Sequence, residues 1–311
     1  MAALCVGAGG WRLTPVPAPA TAGPMTAPRL ISGLSELLDH YDVILSDVWG
    51  VIHNGVDSFP EPCAALARWG AEKGPVVLIS NAPRPSSEVM GQLDELGVPR
   101  AAWQAFVTSG DATRVLLAER APGPAWAIGP ERVAPLYEGL GLEFTGPETA
   151  AFISVTGPYD DETETPEDYR ARFEAPAARG LEMICANPDI VVQRGSKLIY
   201  CGGALAQLYA ELGGAVFMAG KPHAPIYALS LAEAEVLMGR PVDRARVLCI
   251  GDGIVTDVRG ANDQGLDVLF VASGIHGAET IGPDGVNVAA VEDLLARDGA
   301  VATYAIADLA W

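Results

Sequence analysis

Asp47 stands at the end of the apolar run Val43-Ile44-Leu45-Ser46, and a glycine turn, Trp49-Gly50-Val51, follows it. A continuous run of this kind reads as a strand buried on both faces. In an open parallel sheet, ligands bind just beyond the carboxyl ends of the strands. The arrangement recurs three times. Val76-Val77-Leu78-Ile79 ends in Ser80-Asn81, and Ala215-Val216-Phe217-Met218 leads into Gly220-Lys221-Pro222. Arg246-Val247-Leu248-Cys249-Ile250 ends in Gly251-Asp252-Gly253, with Asp257 shortly after. Parallel strands would gather those four ends on one edge. Two carboxylates, a hydroxyl and an ammonium group are what a magnesium-assisted phosphoryl transfer to an aspartate needs.

Taken singly, each residue has an ordinary reading. An aspartate after a strand commonly caps a turn, and a lysine before proline is usually exposed. Asp257 would also suit the N-terminus of a helix through the helix dipole. The order of the four motifs, not any one of them, carries the functional reading. A nicotinamide site is a poor alternative. Gly251-Asp252-Gly253 continues to Thr256, which leaves the dinucleotide fingerprint incomplete and puts a carboxylate where a pyrophosphate would lie.

The ordered motifs resemble the haloacid dehalogenase superfamily, and most closely its NagD-like branch of phosphatases with a large inserted cap. They are Asp47-Val48-Trp49-Gly50-Val51, Ser80-Asn81-Ala82-Pro83-Arg84, Gly220-Lys221-Pro222 and Gly251-Asp252-Gly253-Ile254-Val255-Thr256-Asp257. The resemblance implies an aspartyl-phosphate on Asp47, with Lys221 pairing both the phosphate and Asp47. It implies a phosphate contact from Ser80 and a polar contact near the nucleophile from Asn81. A Mg²⁺ ion is implied on Asp47, Asp252 and the main-chain carbonyl of Trp49, with Asp257 bound through water or orienting Lys221. Asn187-Pro188-Asp189 is similar to the family's cap-loop motif. Arg84 is a candidate for an anionic substrate.

One position departs from the pattern. The family's phosphatases carry a second aspartate two residues after the first, which protonates the leaving oxygen and later activates water. Here that place is Trp49, and an indole N–H does neither. Three outcomes are open: a substrate with a good leaving group, a substitute such as His53, His223 or a substrate hydroxyl, or a protein that turns over poorly. The expected function is a Mg²⁺-dependent phosphatase of a small phosphorylated metabolite such as a sugar phosphate or nucleotide. The alternative is a catalytically weak binder or sensor of a phosphorylated ligand.

Alternating strand and helix patterns must position these residues. They imply an α/β fold with a doubly wound parallel-sheet, Rossmann-like core. Helices are expected over 32–38, 60–73, from a cap at Ser86, 109–120, 131–139, 166–178, from Cys201 to near Gly213, after Pro222 and over 288–295. At 311 residues the chain exceeds the size at which one core usually keeps growing, so a second domain is expected. Pro122-Gly123-Pro124 marks the hinge. The expected division is a tail over 1–29, a core over 30–123 and 201–311, and a smaller α/β cap over 124–200. The acidic run Asp160-Asp161-Glu162-Thr163-Glu164 reads as a solvated loop.

A net charge of −19 argues against nucleic-acid or anionic-membrane partners. Five scattered cysteines without a CxxC pair argue for reduced thiols and a cytoplasmic setting. No apolar run approaches the length of a membrane span, and the N-terminus lacks the basic opening of an export signal. Met25 is an alternative start, because recognisable structure begins only after it. A homodimer through the caps is common among the relatives that the motifs resemble.

Overall fold

Val43, Ile44, Leu45 and Ser46 are all fully buried, and the reason lies in their alternation. Successive strand side chains point to opposite faces. Ile44 enters one hydrophobic cluster with Leu66 and Trp69 of the helix Pro60–Glu72. Val43 and Leu45 enter another with Ile226, Tyr227 and Leu231 of the helix Ala224–Met238. Each such residue contributes about 1.5–3 kcal/mol by leaving water, so the strand is held from both sides.

The computed structural model describes residues 27–194 and 197–311. Most of the expected tail, and the alternative start at Met25, lie outside the described residues. In chain order the strands are β1 (Arg29–Leu30), β2 (Val43–Ser46), β3 (Val76–Ser80), β4 (Ala105–Thr108), β5 (Ala125–Ile128), β6 (Phe152–Val155), β7 (Glu182–Cys185), β8 (Val191–Arg194), β9 (Lys197–Tyr200), β10 (Ala215–Met218), β11 (Val247–Gly251), β12 (Asp267–Val271), β13 (Ile281–Gly282), β14 (Gly285–Val286) and β15 (Tyr304–Ile306).

Seven of them form one sheet in the order β1-β15-β12-β11-β2-β3-β4, with every pairing parallel. The expected doubly wound core is present. Asp47 follows β2 at its centre, Ser80 ends β3 beside it, and Asp252 follows β11 on the other side. The tail was expected to reach residue 29, but Arg29 and Leu30 pair with Tyr304 and Ala305. Two residues are too few for a periodic signal to register.

A second, all-parallel sheet has the order β10-β7-β6-β5. It is the core of the inserted cap domain, with Phe173, Leu205, Leu208 and Tyr209 packed on one face and Leu136 and Leu117 on the other. The strand β10, read in the sequence as a fourth strand of the main sheet, belongs here. It pairs with β7 in the register Ala215↔Glu182 to Met218↔Cys185. Ala215 and Phe217 are exposed, as on an edge strand, whereas the interior strands of the main sheet are buried throughout. The helix Gly202–Glu211 also packs on the cap sheet. The second sheet and its helix therefore continue to Met218, past the boundary expected at Tyr200.

Two further expectations change in detail. Residues 34–37, 131–137 and 166–169 are tight 3₁₀ turns, with Pro135 inside the second, where its missing N–H would break an α-helical ladder. Ser86 opens the helix Ser86–Glu95 without capping it by its side chain. Thr108, by contrast, forms a reciprocal capping box with Asp111 ahead of Ser109–Ala118.

Candidate active site

Lys221 is buried, and its Nζ donates to Asp47 Oδ1 at 2.5 Å and to Asp257 Oδ1 at 2.7 Å. The residue reaches this place from the loop between β10 and the helix Ala224–Met238, where the chain passes from cap to core. Asn81, directly after β3, fixes that loop. Its Oδ1 accepts the Lys221 N–H at 2.8 Å, and its Nδ2 donates to the Lys221 carbonyl at 3.1 Å and to Asp189 Oδ1 at 2.8 Å. One amide thus ties the main sheet, the lysine and the cap together.

The carboxylates are positioned by backbone. Asp252 Oδ2 accepts the Ile275 N–H at 2.7 Å. Glycines make room for it: a Cβ at Gly50 or Gly274 would stand 2.0 or 2.1 Å from that oxygen. After Gly253 the chain makes a wide turn, in which the N–H groups of Asp257 and Val258 both reach the Gly253 carbonyl. This turn aims Asp257 inward, where Oδ2 accepts from Gly253 N–H at 3.0 Å and Oδ1 meets Lys221.

Carboxylate oxygens of Asp47, Asp252 and Asp257 lie within 4.8 Å of one another, and all three residues are buried. Burial raises the Asp47 carboxyl well above the usual carboxylate range, and the Asp257 charge adds to this against the pull of Lys221. Asp252 is pushed up to about 6 by burial first and by Asp257 second. Burial alone would lower Lys221, but Asp257 and Asp47 overcome it and hold the ammonium above the ordinary lysine value. Three acids facing one ammonium leave uncompensated negative charge in a dry site. A hard divalent cation with oxygen ligands fits that donor set.

The other expected residues divide. Ser80 is buried at the same sheet edge, with Oγ accepting the Ala82 N–H at 3.3 Å. The Trp49 ring turns onto His53, with centroids 4.9 Å apart, and onto Gly55, where a Cβ would stand 2.3 Å from the indole. His53 is buried, its Nδ1 accepts the Gly55 N–H at 3.0 Å, and burial lowers its pKa to about 4. It is neutral at pH 7 and has no acidic proton to give. His223 is exposed at the start of the helix Ala224–Met238, and Arg84 donates to Gln92 at 3.2 Å. Asp161, expected in a solvated loop, is buried and paired with Arg132.

Sequence reasoning missed Ser109 and Gly274. Ser109 Oγ is buried with no hydrogen-bond partner among the described residues, and it lies 2.5 Å from where a Cβ at Gly220 would stand. Nothing in the local pattern separates it from any residue that opens a helix.

An α/β core with an inserted cap thus brings a strand-end aspartate onto a buried lysine beside two further acids. Profiles described as haloacid dehalogenase-like hydrolase and HAD-hydrolase-like match residues 44–143 and 218–296. The crystal structure of a haloacid dehalogenase-like family hydrolase from Brucella suis 1330 is 45% identical, with a TM-score of 0.79 over 90% of this chain and 100% of that one. The chain belongs to the haloacid dehalogenase-like hydrolases. It is 26% identical to the 5'-nucleotidase YutF of Bacillus subtilis over 78% of this chain and 92% of that protein. It is also 26% identical to the D-glycerol 3-phosphate phosphatase of Mycobacterium tuberculosis, over 79% of this chain and 67% of that protein. No helix among the described residues is long and apolar enough to cross a membrane.

Proposed function

We propose that this hydrolase is a Mg²⁺-dependent phosphatase of a small phosphorylated metabolite, working through an aspartyl-phosphate on Asp47. The observation that carries the reading is the single Lys221 ammonium shared between Asp47 and Asp257, with Asp252 alongside. Asp47 attacks phosphorus in line. Lys221 lowers the repulsion between the attacking carboxylate and the phosphoryl oxygens. Ser80 donates to the phosphate, and Asn81 keeps Lys221 in place. Asp47, Asp252 and the Trp49 carbonyl would hold the metal, with Asp257 bound through water or confined to orienting Lys221. Bound Mg²⁺ supplies charge neutralisation at the phosphoryl group.

The names of the relatives, a 5'-nucleotidase and a glycerol 3-phosphate phosphatase, support nucleotides and polyol or sugar phosphates as substrates. The cap bonded across the site through Asp189 supports a small substrate rather than a macromolecule.

The test is a panel of phosphate esters with Mg²⁺, run on the wild type and on Asp47→Asn. Turnover by the wild type, its abolition in Asp47→Asn, and trapping of Asp47 with beryllofluoride are expected. Ligand binding without turnover across the panel would replace this reading with that of a phosphate-ester sensor.

A further inference from the structure

Cleaving an alkyl phosphate ester leaves an alkoxide that needs a proton, and hydrolysing an acyl phosphate needs a base for water. This requirement follows from the reaction and rests on the phosphatase reading above. The residues around Asp47 offer few candidates. Trp49 has no acidic proton and packs on His53. His53 is buried with Nδ1 already accepting a hydrogen bond. In the phosphatase reading Asp252 would hold the metal, and Asp257 has both oxygens engaged, by Lys221 and by the Gly253 N–H.

A further carboxyl meets the amide that carries Lys221. Asp189 comes from the cap, in the loop after β7, and its main chain is fixed twice. Its N–H donates to Asn187 Oδ1 at 3.3 Å, and its carbonyl accepts the Gly203 N–H at 3.1 Å. Its Oδ1 accepts from the same Asn81 amide that holds Lys221. Its Oδ2 has no hydrogen-bond partner among the described residues.

We propose that Asp189 is the general acid and base of this site, taking the role that Trp49 cannot fill. As Asp47 forms its bond to phosphorus and the ester P–O bond breaks, the proton on Asp189 moves to the departing oxygen and an alcohol leaves. Water then attacks the phosphorus, gives its proton to Asp189, and the bond to Asp47 breaks, releasing phosphate. Burial raises the Asp189 carboxyl above its ordinary value, in the direction an acid working near neutral pH requires. The charged and titratable groups facing it are Lys221 and Asp257 from the core and Cys185 from β7.

The experiment compares an alkyl phosphate with p-nitrophenyl phosphate, whose leaving group needs no proton. Asp189→Asn keeps the size and an acceptor for Asn81. It should lower kcat/KM, which reports the transfer to Asp47, by 100-fold or more for the alkyl ester and by a clearly smaller factor for the p-nitrophenyl ester, while kcat falls on both because hydrolysis of the aspartyl-phosphate is shared. The alkaline limb of the alkyl pH profile should disappear, and Asp189→Glu should restore part of the rate. An equal loss of kcat/KM on both esters, or a change in KM with kcat intact, would show a latch or a substrate contact and overturn the proposal. Wild-type protein that hydrolyses neither ester would instead sink the phosphatase reading itself.

Discussion

Asn81 grips the main chain of Lys221 on both sides, accepting its N–H at 2.8 Å and donating to its carbonyl at 3.1 Å. The ammonium that meets Asp47 is therefore aimed by an amide just beyond the end of the neighbouring strand β3. If Lys221 acts as proposed, Asn81→Ala should cut kcat roughly 10- to 100-fold, since small misplacements of a reacting group are costly. Two lost buried hydrogen bonds should also lower stability by about 1–3 kcal/mol. Steady-state kinetics and urea unfolding would check both, and an unchanged kcat would show that Lys221 is positioned by its two carboxylates alone.

Asp252 has no room to retreat. A Cβ at Gly274 would stand 2.1 Å from its Oδ2, the oxygen that accepts the Ile275 N–H. Gly274→Ala should raise the Mg²⁺ concentration giving half-maximal activity at least tenfold. The thermal stabilisation conferred by added Mg²⁺ should shrink with it. Unaltered Mg²⁺ dependence would take Asp252 out of the proposed metal site.

Trp49→Asp tests the unusual position directly. The ring contacts with His53 and Gly55 would be lost, at a cost of about 2–3 kcal/mol for a partly exposed tryptophan. Turnover of ordinary alkyl phosphates should nevertheless rise, because a carboxylate would stand two residues after Asp47. A melting scan and kcat on an alkyl ester give the two readings. Lower turnover with intact beryllofluoride trapping would mean that the indole itself positions the loop.

His53 makes stability depend on pH. Burial holds its folded-state pKa near 4, below the ordinary value of 6.5. Above pH 6.5 neither folded nor unfolded chain binds this proton, and stability is unaffected. As pH falls from 6.5 towards 4, the unfolded chain takes the proton first and stability drops, by about 3 kcal/mol in total. Urea unfolding between pH 8 and 4 should show this slope in the wild type, and His53→Asn should flatten it. Parallel slopes would place the acid sensitivity elsewhere.

Asp47 and Asp252 were legible because buried parallel strands write long apolar runs that stop abruptly at the ligand edge. Lys221 was legible for a partly mistaken reason. The four residues of β10 look like an interior strand of the main sheet, yet they pair on the outside of the cap. Four residues cannot tell an edge from a centre, since only the partner strand decides which side chains stay exposed. The Asn81 grip and the crowding of Asp252 by Gly274 are long-range contacts without local periodicity. The neutrality of His53 follows from burial, which depends on how the loop folds back over Trp49.

The lysine lies three residues beyond Met218, the end of the cap's outermost strand. Any swing of the upper layer would pull on the same short tether that carries the ammonium. Opening of the cap and parting of the Lys221 ammonium from Asp47 would then be one movement, and a transplanted lid from a relative would bring its own charge alignment with it.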